Sequence, residues 1–138
     1  MLIEIWRKNR QADSRSYLAA VIARSVPADY FPGALGYALP DAEIGVNATV
    51  FYDRIERFSE SGAMPGEIDL PSLLGYAMAH EIGHVLLGTT GHSPDGIMKA
   101  RWSQADFQVG GLRFMKFTAL QREEISQHRR LIAMYGPS

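Results

Sequence analysis

A chain of 138 residues, 46% hydrophobic, with a formal net charge of −1, has the size and apolar content of one domain with its own core, over residues 1–138. Its 14 Lys and Arg are spread along the sequence, so neither a nucleic-acid footprint nor an anionic-membrane patch is expected. It contains no cysteine, which excludes a disulfide framework and a thiolate metal site; any metal must be held by His, Asp, Glu or water.

No apolar run reaches membrane-spanning length. Met1–Lys8 lacks the basic-then-apolar order of a signal peptide. A soluble chain, without a membrane partner and monomeric, is the expectation. The compartment stays open, as does a leader upstream of Met1.

Taken in order, Leu2 to Trp6 alternate as a short half-buried strand. Arg7 to Arg15 is polar and reads as a loop. Tyr17–Arg24 is a continuous apolar run, either a buried strand or a short helix, and periodicity cannot separate the two. Pro27 ends it, and Pro32-Gly33 marks a turn. Leu35-Gly36-Tyr37-Ala38-Leu39 is a short strand closed by Pro40-Asp41. Ala48–Asp53 is β-branched and aromatic, a good strand, with a helical turn over Ile55–Phe58. Ser59 to Asp69, with Gly62, Pro65 and Gly66, reads as a loop.

A central helix opens at Leu70-Pro71-Ser72, with Asp69 or Leu70 near its N-cap. At 100° per residue, Leu73, Ala77, His80, His84 and Leu87 share one face. Leu74, Met78, Ile82 and Val85 line a second, so the helix reads as buried nearly all round. Gly75, Ala79 and Gly83 form a small-residue stripe, expected to let a neighbouring element approach closely. Gly88 is placed to end the helix in a left-handed conformation. Ser103–Asp106 resembles a capping sequence for a short helix ended by Gly110-Gly111. Thr118-Ala119-Leu120-Gln121 is a capping box for a final helix buried through Ile125, His128, Ile132 and Tyr135.

The chemistry concentrates in His80-Glu81-Ile82-Gly83-His84. Helical residues four apart stand roughly 5–6 Å apart at Cβ. Two imidazoles so placed can both reach one Zn²⁺ at about 2.0–2.1 Å. Glu81, beside them, can take a proton from metal-bound water. A catalytic zinc has three protein ligands and one open position. His92, across a glycine-rich turn, is the third candidate; Asp95, Glu123 and Glu124 are the alternatives. His128 has no ligand-like spacing and reads as a packing residue.

The run H-E-I-G-H…G-H-S-x-D-G-I-M resembles the metzincin zinc proteases, the matrixins especially. Their motif is H-E-x-x-H-x-x-G-x-x-H followed by a methionine turn. In that likeness His80, His84 and His92 are the zinc ligands, Glu81 the general base, and Met98 the methionine beneath the metal. The spacing departs from the family's: Leu87 and Thr90 stand where its glycine and third histidine fall, and a two-residue insertion restores the register to His92. Lys99-Ala100-Arg101-Trp102 follows the turn, so no tyrosine electrophile is assigned. Upstream, Leu35–Pro40 and Ala48–Asp53 resemble the matrixin edge strand and the last parallel strand before the active-site helix. The resemblance implies an α+β minimal zincin fold: a small mixed sheet with an antiparallel edge strand, an active-site helix, a Met-turn and a C-terminal helix. A peptide would add to the edge strand at Leu35, Gly36, Tyr37, Ala38 and Leu39. The function so implied is a zinc-dependent peptidase, an endopeptidase, acting on peptide or protein substrates with one catalytic Zn²⁺. The alternative is a non-catalytic zinc-binding or peptide-binding module retaining the fold.

Overall fold

The computed structural model describes residues 2–3, 18–39, 46–60, 68–108 and 114–135. Arg7–Arg15, Pro40-Asp41, Gly62–Gly66 and Gly110-Gly111 lie outside these residues, as does Glu4–Trp6 of the first strand. The side chains of His128, Ile132 and Tyr135 lie outside them too.

Four strands form one mixed sheet: β1 (Leu2–Ile3), β2 (Leu18–Ala23), β3 (Gly36–Leu39) and β4 (Val46–Phe51), in the order β1-β2-β4-β3. Strand β4 runs parallel to β2, while β3 pairs antiparallel on the far side of β4 and forms an edge. Of the apolar run, Leu18–Ala23 is therefore strand, while Tyr17 lies outside the described residues. Among the described residues three helices follow: α1 (Tyr52–Glu60), α2 (Leu70–Leu87) and α3 (Ala119–Tyr135), with a 3₁₀ turn at Gln104–Phe107. The chain is thus mixed, with helices and sheet segregated along it, as an α+β reading requires.

Strand periodicity sorts the sheet's two faces. Ala20, Ile22, Ala48 and Val50 are buried on one. There Ile22 and Val50 join Ile55, Leu73, Ala77, Phe107 and Met115 in the core. On the other, Phe51 is buried among aromatic rings, 5.8 Å from Tyr37 and 6.1 Å from Tyr30. Strand β4 passes into α1 without a loop, so α1 is a full helix from Tyr52 to Glu60 where only one turn is expected. Ser59 and Glu60 consequently belong to the helix rather than to the following loop.

Helix α2 packs on β3 and β4, with α1 and α3 against it. Asp69 caps its start, accepting the Ser72 amide at 2.7 Å, with Pro71 in the first turn. Gly88 (φ 64°, ψ 33°) ends it; the amides of Gly88 and Thr89 donate to the carbonyls of Val85 and His84. The buried face is Leu73, Ala77, His80, Glu81, Gly83 and His84. Leu74, Met78, Ile82 and Val85 are only half-buried, so the helix is not enclosed all round. The reason is placement: the sheet lies on one side and, among the described residues, no element covers the whole of the other. The small-residue stripe is also partly corrected. Gly75 is exposed with nothing near it, whereas a Cβ on Gly83 would meet Met98 Sδ at 2.5 Å and Phe117 Cε1 at 2.8 Å.

Candidate metal centre

The i, i+4 spacing puts His80 and His84 on the buried face of α2, with ring centroids 4.9 Å apart. Each ring is fixed from behind. His80 Nδ1 bonds the Ile97 carbonyl at 2.6 Å, and His84 Nδ1 bonds the Thr89 carbonyl at 2.9 Å. A carbonyl only accepts, so both Nδ1 atoms carry the proton, and both Nε2 atoms are left as lone-pair donors. This is the orientation that metal-ligating histidines adopt.

Both carbonyls belong to the segment that follows the helix. Its geometry is set by Gly96 (φ 78°), where a Cβ would lie 2.5 Å from the Lys116 carbonyl. Ile97 donates to that same carbonyl, and Ser93 to Met98. Gln121, held in the observed capping box with Thr118, reaches the Ser93 hydroxyl at 3.1 Å. Helix α3 therefore braces the turn that orients His80. Met98 is buried against Gly83, the residue before His84.

The same segment carries His92 back to the helix. Its ring lies 5.3 Å from that of His80 and 4.9 Å from that of His84. Ligand atoms of the three histidines all fall within 4.8 Å of one another, a set that can hold a metal ion. The other candidates do not join it. Asp95 is exposed within the turn, and Glu123 and Glu124 are exposed on α3.

Glu81 is buried beside the cluster, in one cleft of about 660 Å³ with the three histidines, Leu35, Gly36, Tyr37 and Ala38. Leu39 is exposed at the end of β3 and does not line the cleft. Gly36 is where strand and carboxylate meet: a Cβ there would lie 3.1 Å from Glu81 Oε1 and would also strike the Thr49 carbonyl. Any other residue would push the edge strand off Glu81.

Burial sets the charge states. Desolvation lowers the His80 pKa to about 4, against the raising effect of its Ile97 bond, with His84 and His92 adding a smaller lowering. His84 is lowered for the same first reason. Both are thus neutral near pH 7, as ligation requires. Desolvation raises Glu81 to about 7. A cation held by the histidines would draw it back down.

Several contributors escape the motif. Trp102 lines the cleft and meets His80 edge-on at 5.6 Å; its Nε1 is buried without a partner among the described residues. An aromatic four residues past Met98 was a readable hint. The carbonyls of Ile97 and Thr89 were not, because backbone acceptors leave no mark on residue type. No known family model, curated protein or solved structure matches this chain. Among the described residues, no helix is long and apolar enough to cross a membrane.

Proposed function

We propose that this chain is a zinc-dependent peptidase with a minimal metzincin-like fold. His80, His84 and His92 would hold one Zn²⁺, and Glu81 would handle protons. The supporting observation is the grouping of three imidazoles and a buried carboxylate in one cleft beneath an edge strand.

The donor set suits zinc: three imidazole nitrogens, no thiolate, and only three members among the described residues, which leaves a coordination position open. His92 is exposed and loop-borne, whereas His80 and His84 are tied through Nδ1.

When bound, the ion supplies a water made acidic enough to ionise near pH 7 and a Lewis acid for the substrate carbonyl. Glu81 accepts the proton of the attacking water and delivers it to the leaving amine, the two halves of general acid–base catalysis. Among the described residues, strand β3 has an unpaired edge on which an extended peptide can add as a further strand. That would carry the scissile bond past Gly36 and so past Glu81. The three-ligand set and the buried carboxylate favour this reading over a structural zinc module, whose site is closed by four protein ligands.

The test is hydrolysis of a diverse peptide library by zinc-loaded protein, by chelator-treated protein and by Glu81→Gln. Cleavage only in the first is expected. Cleavage that persists under chelation overturns the proposal.

A further inference from the structure

Across the cleft from the histidines, the segment Phe31 to Ala38 carries no charged residue. Its shape depends on a cation outside the cleft. The Arg54 guanidinium, in the first turn of α1, donates to four backbone carbonyls: Phe31 at 2.6 Å, Ala34 at 2.9 Å, Pro27 at 2.9 Å, and Tyr30. It also lies over the Phe51 ring, 4.6 Å from the centroid. Its neighbour Asp53 accepts the Val26 amide at 3.3 Å, so one helical turn grips the loop at both ends.

Four carbonyls converging on one planar fork form a contact that only arginine can make. The loop needs such a hold, because Phe31 has φ 44°, a left-handed conformation that non-glycine residues rarely adopt. So held, the Phe31 ring stacks on Tyr37 of β3 at 5.0 Å and 8°. Tyr37 alternates with Gly36, so this stacked pair stands on the face of the sheet away from Glu81; both residues border the cleft, and Phe31 remains 46% exposed. A flat apolar face is thereby presented at the outer rim of the cleft, where a strand added to β3 would turn alternate side chains onto it.

We propose that Arg54 is a positioning residue that builds this aromatic wall, and that the wall selects substrates with an aromatic or large apolar side chain near the cleaved bond. The inference rests on the peptidase reading above. Phe31 and Tyr37 act by contact; Arg54 acts through the loop alone.

The experiment uses the zinc-loaded full chain and two peptide series differing at one residue, aromatic against alanine or glutamate. Wild type should prefer the aromatic series by about tenfold or more in kcat/KM, the range one apolar side chain supports. Arg54→Lys keeps the charge but loses the fork. It should raise KM for the aromatic series about tenfold, with kcat and zinc affinity near wild type, and should speed amide exchange at Tyr30 and Ala34. Phe31→Ala, which leaves the clamp intact, should abolish the preference without changing zinc affinity. A wild type that cleaves both series equally, or a Phe31→Ala that keeps the preference, overturns the inference. So does an Arg54→Lys whose KM and loop exchange are unchanged. A zinc-loaded wild type that cleaves no peptide at all sinks the peptidase reading, and this substrate assignment with it.

Discussion

The two walls of the cleft are held by different physics. On one side, α2 and the turn after it fix His80 and His84 by a helical repeat and two histidine-to-carbonyl bonds, reached across 17 and 5 residues. On the other, β3 and the loop before it are held by a sheet ladder and by one guanidinium contacting carbonyls 20 to 27 residues away. The first wall is neutral imidazole with one buried carboxylate; the second is aromatic and uncharged. The histidines and the buried carboxylate therefore stand on the more deeply packed wall, while the facing surface is borne by an edge strand and its loop. Such a division lets one wall vary without disturbing the other.

The sharpest way to break the comparison is to disable the first wall chemically while leaving its geometry. Glu81→Gln should lower peptide hydrolysis at least about 100-fold, the usual share of a general acid–base group. Its zinc affinity, measured by competition titration, should stay within a few-fold of wild type. Removing a ligand should act on the metal instead. His92→Ala is expected to weaken zinc binding by about 100-fold or more, since it leaves two protein ligands of three. Asp95→Asn should leave the affinity unchanged in the same titration.

Glycine substitutions probe the packing of each wall. Gly83→Ala thrusts a methyl into Met98 and Phe117, and Gly36→Ala thrusts one into the Thr49 carbonyl and Glu81. Each should cost about 1–3 kcal/mol in denaturant unfolding, the range for overpacking a tight interior. They should differ in function: Gly36→Ala displaces the substrate edge and reduces hydrolysis beyond its effect on zinc binding, whereas Gly83→Ala disturbs the metal side first. Asp69→Ala, remote from both, should lower stability slightly through the lost N-cap and leave zinc affinity alone.

The smallest effect concerns pH. Burial alone would raise the Asp106 carboxyl, but hydrogen bonds from Lys99 and Ser103 outweigh it and hold the pKa below the ordinary value. The lowered folded-state pKa means that Asp106 contributes its stability fully above the ordinary carboxylate pKa of about 3.9. That contribution is lost as pH falls through the lower folded value. Asp106→Asn should remove about 1 kcal/mol or less near neutrality, and the difference from wild type should shrink in acid. Unfolding measured at pH 7 and below 3 checks the sign.

How much of this was legible follows from the range of each contact. His80, Glu81 and His84 were readable because a helix converts spacing into proximity. Asp69, Gly88 and the Thr118–Gln121 box were readable because caps are local. His92 could be preferred to Asp95 from sequence, but it is turn geometry that decides which side chain returns to the helix. The run at Leu18–Ala23 was ambiguous until its pairing with β4 was seen, because a wholly apolar stretch carries no period. Helix α1 was underestimated because charged residues dominate it and only Ile55 is buried. The Arg54 clamp was invisible, as its partners are carbonyls far along the chain.

The account turns most directly on zinc titration of the purified protein and its three single histidine-to-alanine variants. One equivalent should bind tightly to wild type, and each of His80→Ala, His84→Ala and His92→Ala should weaken it strongly. Wild type that takes up no zinc, or variants that all bind it as wild type does, would contradict the proposed centre.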